Sequence, residues 1–204
     1  MESLARGGTR WKRFAVVMVP SVAATAAIGV ALSQGALAAS FSVSGQQFKV
    51  AADRLDGQGF VQYGAVDSTK KGKKPVAVVG FESAQIRNLC QSVVVPVPAF
   101  GDMTMKLSAG TSGPKVEAKK LYIDADDLGA NATFNKIDIG VSADDTTKGP
   151  GTSPGDNYAK GSFAQQAQSA TFTDVKQRAW ATTAGTFKLS GLKMAIKKGK
   201  QECY

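Results

Sequence analysis

The sequence predicts an all-β domain, an antiparallel sandwich or roll of about nine or ten short strands, preceded by one N-terminal hydrophobic helix. Apolar and polar residues alternate along most of the chain after Ser40. Turn-forming residues punctuate this alternation, and the chain holds 22 glycines. No window of helical length after Ser40 sustains the i, i+3, i+4, i+7 apolar spacing of an amphipathic helix.

The first element is a basic segment followed by an apolar run, which is the pattern of an export signal. Arg6, Arg10, Lys12 and Arg13 precede Phe14–Leu32, a run of 19 residues without a charge. A helix of that length spans roughly 28 Å, close to the thickness of a bilayer core. We predict a membrane or export helix, and its larger apolar or helix-bending residues are Phe14, Val16, Val17, Pro20, Ile28 and Leu32.

A candidate cleavage site follows this helix, because Ala36 and Ala38 are the small residues at its −3 and −1 positions. A cleaved signal peptide and an uncleaved signal-anchor transmembrane helix both remain open. Either fate places the rest of the chain outside the cytoplasmic membrane, since the basic flank stays inside. The predicted domains are residues 1–39, the signal peptide or anchor, and residues 40–204, an exported β-rich domain that is anchored in the plasma membrane or secreted.

The remaining elements are strands with one apolar face. Turns are predicted at Asp56-Gly57 and at residues 68–74, 112–114 and 146–157. Irregularly spaced echoes, such as NATFNKIDI and SATFTDVKQ, leave a β-helix or solenoid as the alternative fold. The alternating positions are Phe41 and Val43; Phe48, Val50 and Ala52; Met103, Met105, Leu107 and Ala109; Leu121, Ile123 and Ala125; Ile137, Ile139 and Val141; Phe187 and Leu189; and Leu192, Met194 and Ile196.

Cys90 and Cys203 are the two cysteines of the chain. An exported domain with two cysteines most simply forms one disulfide, and two free thiols are the alternative. The chain has no C-x-x-C motif, which argues against zinc and thioredoxin-type chemistry.

The chain contains no histidine, so it lacks the usual general base and the commonest metal ligand. Residues 151–155, GTSPG, match the G-x-S-x-G pattern of a hydrolase nucleophile elbow. The residue after Ser153 is Pro154, which has no N–H to donate to an oxyanion. We therefore predict no catalytic residue, no metal site and no cofactor. Asp124 and Asp126, in IDADDLG, are interpreted as a solvated strand face that ends in a turn.

The exported part is basic. The whole chain has a formal charge of +9, and removal of residues 1–38 leaves 21 basic and 15 acidic residues. The predicted basic surface consists of two lysine clusters: Lys70, Lys71, Lys73 and Lys74, and Lys193, Lys197, Lys198 and Lys200. Outside the cell such lysines suit lipid headgroups or anionic wall polymers rather than nucleic acid. Protection of exposed sheet edges is the alternative interpretation.

Four stretches carry a resemblance over nearly the whole chain: residues 10–50, FVQYG, LCQSV and LYIDADDLGANATF. They resemble an actinobacterial family of small exported proteins of unknown function, whose members often carry the automatic label "cholesterol esterase". The resemblance implies export and a role in the cell envelope. It transfers no catalytic residue to this chain.

Together these observations predict a non-catalytic, membrane-associated protein of the cell envelope. It would bind lipid, an anionic envelope polymer or a membrane-protein partner. The alternative is a structural surface protein that self-associates as a homo-oligomer, and a serine esterase is the remote alternative.

Overall fold

The computed structural model describes residues 45–69 and 72–204. These residues form eight strands and a 3₁₀ turn, with no α-helix among them, so the all-β prediction is confirmed. The predicted N-terminal helix and cleavage site lie outside the described residues. The strands are β1 (Phe48–Thr69), β2 (Gly72–Arg87), β3 (Leu89–Val97), β4 (Gly101–Ala109), β5 (Val116–Asn135), β6 (Asp138–Ser142), β7 (Phe163–Lys188) and β8 (Lys193–Lys198), and the 3₁₀ turn is Ala143–Asp145.

All eight strands belong to one antiparallel sheet in the order β6-β7-β5-β2-β1-β3-β4-β8. An additional pairing joins β7 to β1, so β1, β2, β5 and β7 close into a ring. The structure is thus a single sheet that contains a closed ring of four strands, and not two separate sheets. The β-helix alternative is wrong, because the strands pair side by side in antiparallel register instead of stacking in coils.

The strands are fewer and longer than predicted. β1, β2, β5 and β7 contain 22, 16, 20 and 26 residues. The predicted turn at Asp56-Gly57 is wrong, because both residues lie inside β1. A Cβ atom on Gly57 would lie 2.2 Å from Cδ1 of Phe81, so this glycine makes room for a ring and does not turn the chain.

Phenylalanines fill the interior of the closed sheet. The Phe60 ring lies 5.6 Å from Phe81, 5.0 Å from Phe134 and 6.1 Å from Phe172, centroid to centroid. These rings come from β1, β2, β5 and β7, so the cluster ties together all four strands of the ring. Full burial of one such side chain contributes about 1.5–3 kcal/mol.

A second hydrophobic cluster lies on the outer face of the same sheet. It contains Val61, Tyr63, Val78 and Tyr122, packed with Ala143 and the half-buried Tyr158 and Trp180. Because neighbouring residues of a strand point to opposite faces, the burial of Leu121, Tyr122 and Ile123 in succession means that β5 is covered on both faces here. The outer cover is residues 146–157, called below the covering loop.

Strands β3, β4 and β8 extend sideways from the start of β1 and are called below the side sheet. β3 pairs with Lys49–Ala51 of β1, β4 with β3, and β8 with β4. The predicted inward face of Leu192, Met194 and Ile196 is wrong, because all three side chains are exposed. The physical reason is position, since β8 is the last strand of the sheet and no further layer lies over these residues among the described ones.

Candidate functional site

The covering loop holds Ser153 in a structural role. Its backbone N–H donates to Oη of Tyr63 at 2.7 Å, and the Tyr63 hydroxyl donates to Oδ2 of Asp156 at 2.5 Å. The Ser153 hydroxyl also bonds the Asp156 carboxylate. Residues 146–157 form a loop, as predicted, without the strand and helix that flank a nucleophile elbow.

Further hydrogen bonds fasten the rest of the covering loop to the outer face of the sheet. The Tyr122 hydroxyl donates to the Pro150 carbonyl at 3.1 Å, and the Val66 N–H donates to the Asn157 carbonyl at 2.9 Å. Gly149 approaches β1 so closely that a Cβ there would lie 2.9 Å from the Phe60 carbonyl oxygen. The loop is therefore a packed layer of the molecule.

Two carboxylic acids of the sheet, Asp67 and Asp124, lie near Asp156 of this loop. Burial, together with the nearby charges of Asp67 and Asp156, raises the pKa of Asp124 to about 7. Burial also raises the pKa of Asp67, with a smaller contribution from Asp156, and it raises the pKa of Asp156 itself against the hydrogen bonds from Tyr63 and Ser153. One Asp67 carboxylate oxygen is buried without a hydrogen-bond partner among the described residues.

The two tyrosines of the outer cluster are held protonated. Burial, followed by the hydrogen bond to Asp156, raises the pKa of Tyr63. Burial and the charge of Glu82 raise the pKa of Tyr122 to about 12. Both hydroxyls are thus hydrogen-bond donors at neutral pH, which is the form that fastens the loop.

Asp124 differs from its sequence interpretation. It lies partly buried under the covering loop, and β5 continues past it to Asn135 with no turn. Of Asp124 and Asp126, it is Asp126 that forms an ion pair, with its Oδ1 at 2.9 Å from Nε of Arg178. The run of three apolar residues before Asp124 is the signal that indicates a two-sided cover. In residues 45–69 and 72–204 no group of three or more His, Cys, Asp or Glu side chains is arranged to hold a metal ion.

The two predicted lysine clusters do not form one surface. In the ladder between β1 and β2, Lys73 lies opposite Ser68 and Lys74 lies opposite Asp67, near the end of β1. The second cluster lies on and after β8, on the side of the sheet where β1 begins. The Lys74 ammonium lies 5.5 Å from the Trp180 ring centroid. Lys70 and Lys71 lie outside the described residues.

The second lysine cluster is the better candidate for a binding surface. Lys193, Lys197, Lys198 and Lys200 are all exposed within eight residues of chain that contain no acid. Of the four, Lys200 has a salt bridge in the described structure, to Asp102 at 3.8 Å. The other three ammonium groups are available to an anionic partner.

The C-terminal tail covers one face of the side sheet. Cys90 and Cys203 form a disulfide with their Cα atoms 5.9 Å apart, which is the predicted pairing. The Thr104 hydroxyl donates to the Gly199 carbonyl at 2.6 Å and accepts from the Gln201 N–H at 3.0 Å. The Cys203 N–H donates to the Ser92 hydroxyl at 3.0 Å. These polar contacts fix the tail against the face of Ser92 and Thr104.

One end of the sheet interior holds a cavity of about 40 Å³, bordered by the side sheet and β7. Its lining is mostly apolar, with Leu55, Ile86, Leu89 and Phe187 among the contributors. A cavity of about 150 Å³ holds one benzene molecule, so this one has no room for an acyl chain.

No helix among the described residues combines the length and apolar character needed to cross a membrane. The sequence matches the family described as "Family of unknown function (DUF6230)" over residues 44–204. No match was found among curated proteins or among solved structures.

Proposed function

Because the chain belongs to the Family of unknown function (DUF6230), whose description names no activity, we propose a function from the residues themselves. The protein is a non-catalytic component of the cell envelope that binds an anionic surface outside the cytoplasmic membrane. Its N-terminal segment, residues 1–39, either anchors it in the membrane or is cleaved on export. The observation that carries the binding is the exposed lysine cluster that follows the last turn of the sheet.

Two features support an extracytoplasmic location. The disulfide between Cys90 and Cys203 suits an oxidising compartment. The basic segment and apolar run of residues 6–32 have the pattern of an export signal.

Two features support a non-catalytic role. Ser153 is occupied in fastening the covering loop, through its N–H to Tyr63 and its hydroxyl to Asp156. The chain also has no histidine to accept a proton from that hydroxyl. If the wild-type protein hydrolysed a nitrophenyl ester and Ser153→Ala abolished that turnover, the non-catalytic part of the proposal would be overturned.

The binding is tested with the full chain in neutral-detergent micelles, titrated with fluorescent polyglycerol phosphate. We expect binding that weakens with added salt, because exposed charges are screened. The double variant Lys197→Gln with Lys198→Gln should weaken binding about tenfold or more, since each lysine near an anionic surface contributes about 1 kcal/mol.

The matched control is Lys119→Gln with Lys160→Gln, which removes the same charge from two exposed lysines elsewhere. The control should retain most of the affinity. Equal losses in both double variants would mean that net charge, and not the second lysine cluster, drives binding. No measurable binding of the wild type to this polymer or to anionic vesicles would overturn the proposal.

A further inference from the structure

The side sheet has one apolar face that follows from its pairing register. Residues directly opposite each other in an antiparallel pair point to the same face. Val93 therefore aligns with Met105 and Ile196, while Leu107 aligns with Met194. Met194 and Ile196 are 64% and 69% exposed. The apolar side-sheet face is defined as Val93, Val95, Met103, Met105, Leu107, Met194 and Ile196.

Exposed apolar groups are concentrated at this part of the molecule. Ten large hydrophobic side chains are exposed on the described surface. Five of them belong to the side sheet or the turns beside it: Phe100, Met105, Leu192, Met194 and Ile196. Such a concentration differs from the scattered single residues of an ordinary surface and marks a contact site.

Attachment of the C-terminal tail fixes which face of the side sheet is exposed. The disulfide and the hydrogen bonds of Ser92 and Thr104 hold the C-terminal tail on the opposite face. The register with β4 then fixes Met194 and Ile196 outward on the other side.

Lysines border the apolar side chains. Lys198 lies on the apolar face beside Ile196, because it pairs with Met103. Lys193 and Lys197 point to the other face of the same edge strand, and all three are exposed. The nearby acids already have partners other than these three lysines, since Asp102 pairs with Lys200 and Glu202 with Lys49. The edge therefore combines apolar side chains with unpaired positive charge.

We infer that the apolar side-sheet face docks on the surface of a bilayer that carries anionic headgroups. Met194 and Ile196 enter the interfacial region, and Lys198 beside them reaches the phosphate level. Lys193 and Lys197, on the opposite face of this edge strand, add positive charge that attracts the anionic surface. This inference rests on the proposed function and names its partner as a lipid surface.

The charge and apolar groups together select this partner. A soluble anionic polymer would satisfy the lysines but leave Met194 and Ile196 in water. A second copy of the chain would bury the apolar side chains but bring like charges together. An anionic bilayer accepts both kinds of group at once.

The test uses the full chain reconstituted in vesicles, with a readout local to β8. Met194→Trp is made in a Trp11→Phe parent, and the parent gives the Trp180 background for subtraction. The vesicles contain brominated phosphatidylcholine, with or without phosphatidylglycerol. We expect bromine quenching and a blue shift of the new tryptophan in the anionic vesicles, and little of either in the neutral ones.

The matched control is Ile139→Trp, because Ile139 is also 66% exposed but lies on β6, outside the side sheet. It should show no quenching. Lys193→Gln, Lys197→Gln and Lys198→Gln together, added to Met194→Trp, should abolish most of the quenching. Retention of the disulfide in the intact mass and an unchanged circular dichroism spectrum establish that each variant is folded.

The outcomes separate the two proposals. Polyglycerol phosphate binding without quenching of the Trp at position 194 would overturn the lipid docking and leave the proposed function standing. Absence of both would overturn both. Equal quenching at positions 194 and 139 would also overturn the docking, because it would show that the N-terminal segment merely holds the whole domain near lipid. A doubled particle mass at constant protein-to-lipid ratio, with no quenching, would identify a second copy as the occupant.

Discussion

Asp67 and Asp124 of the sheet lie near Asp156 of the covering loop, and none of the three has a salt bridge to a basic side chain among the described residues. Each has a raised pKa, and burial is the first cause for all three. When the folded-state pKa of an acid is raised, its contribution to stability is fully present below its unfolded pKa and is lost as pH rises through the folded pKa. The cluster therefore makes the fold less stable towards alkaline pH.

The variant Asp124→Asn tests this pH dependence of stability at the acid whose pKa is raised to about 7. The folded-state pKa of about 7 lies above the ordinary value of 3.8, so stability attributable to Asp124 declines between roughly pH 4 and pH 8. We expect the variant to exceed the wild type by up to about 4 kcal/mol in unfolding free energy at pH 8 and to match it near pH 4. Urea unfolding across this range measures the difference.

The control for that series is Asp127→Asn, an exposed position on the same strand. It should leave the pH dependence of the wild type in place. An Asp124→Asn curve parallel to the wild-type curve at every pH would contradict the carboxyl-cluster account.

The alternation of apolar and polar residues correctly predicted the buried face of those strands that line the sheet interior. Val50, Ala52, Leu121, Ile123 and Ala125 occupy the interior face as alternation requires. The periodicity of β8 was equally clear, yet its apolar residues face solvent because burial there depends on a layer that the described chain does not supply. The burial of Asp124 was missed for the opposite reason, since its cover comes from a loop distant in sequence.

Gly57 within β1 shows why a prediction from turn-forming residues alone gave too many strands. Asp56-Gly57 is a strong turn dipeptide, but it pairs with Ala84 and Gln85 on one side and with Ala170 and Thr171 on the other. The Phe81 ring occupies the space over Gly57. A local pattern carries no information about a ring that arrives from another strand.

A comparison of Gly57→Ala with Gly64→Ala, both in β1, measures the cost of a side chain where the Phe81 ring lies over Gly57. The Gly57 methyl would overlap the buried Phe81 ring, and relief of such overpacking costs about 1–3 kcal/mol. A Cβ on Gly64 meets nothing within 4 Å, so Gly64→Ala should change stability by less than about 0.5 kcal/mol or raise it. Equal effects in thermal unfolding would refute the packing role of Gly57.

Strand β7 closes the ring, because it pairs with β1, β5 and β6. Its residues 164–166 pair with β1 and β6, and its residues 169–173 and 176–179 pair with β1 and β5. Neither edge of these doubly paired segments is free, and their partners lie far away in sequence. The ring should therefore open as a unit, whereas β8 is attached by one ladder to β4.

Native-state hydrogen exchange should resolve these two levels of stability. Amides of β7 in residues 164–166, 169–173 and 176–179 should exchange only through global unfolding, because local opening there would break ladders on both edges. Amides of β8 should exchange at least about a hundredfold faster, since a single ladder and an exposed edge hold them. Reduction of the Cys90–Cys203 disulfide should accelerate exchange in β8 and the tail and leave the rank order of β7 unchanged. Equal protection of β7 and β8, or separate fast and slow groups among the doubly paired residues of β7, would contradict a ring that opens as a unit.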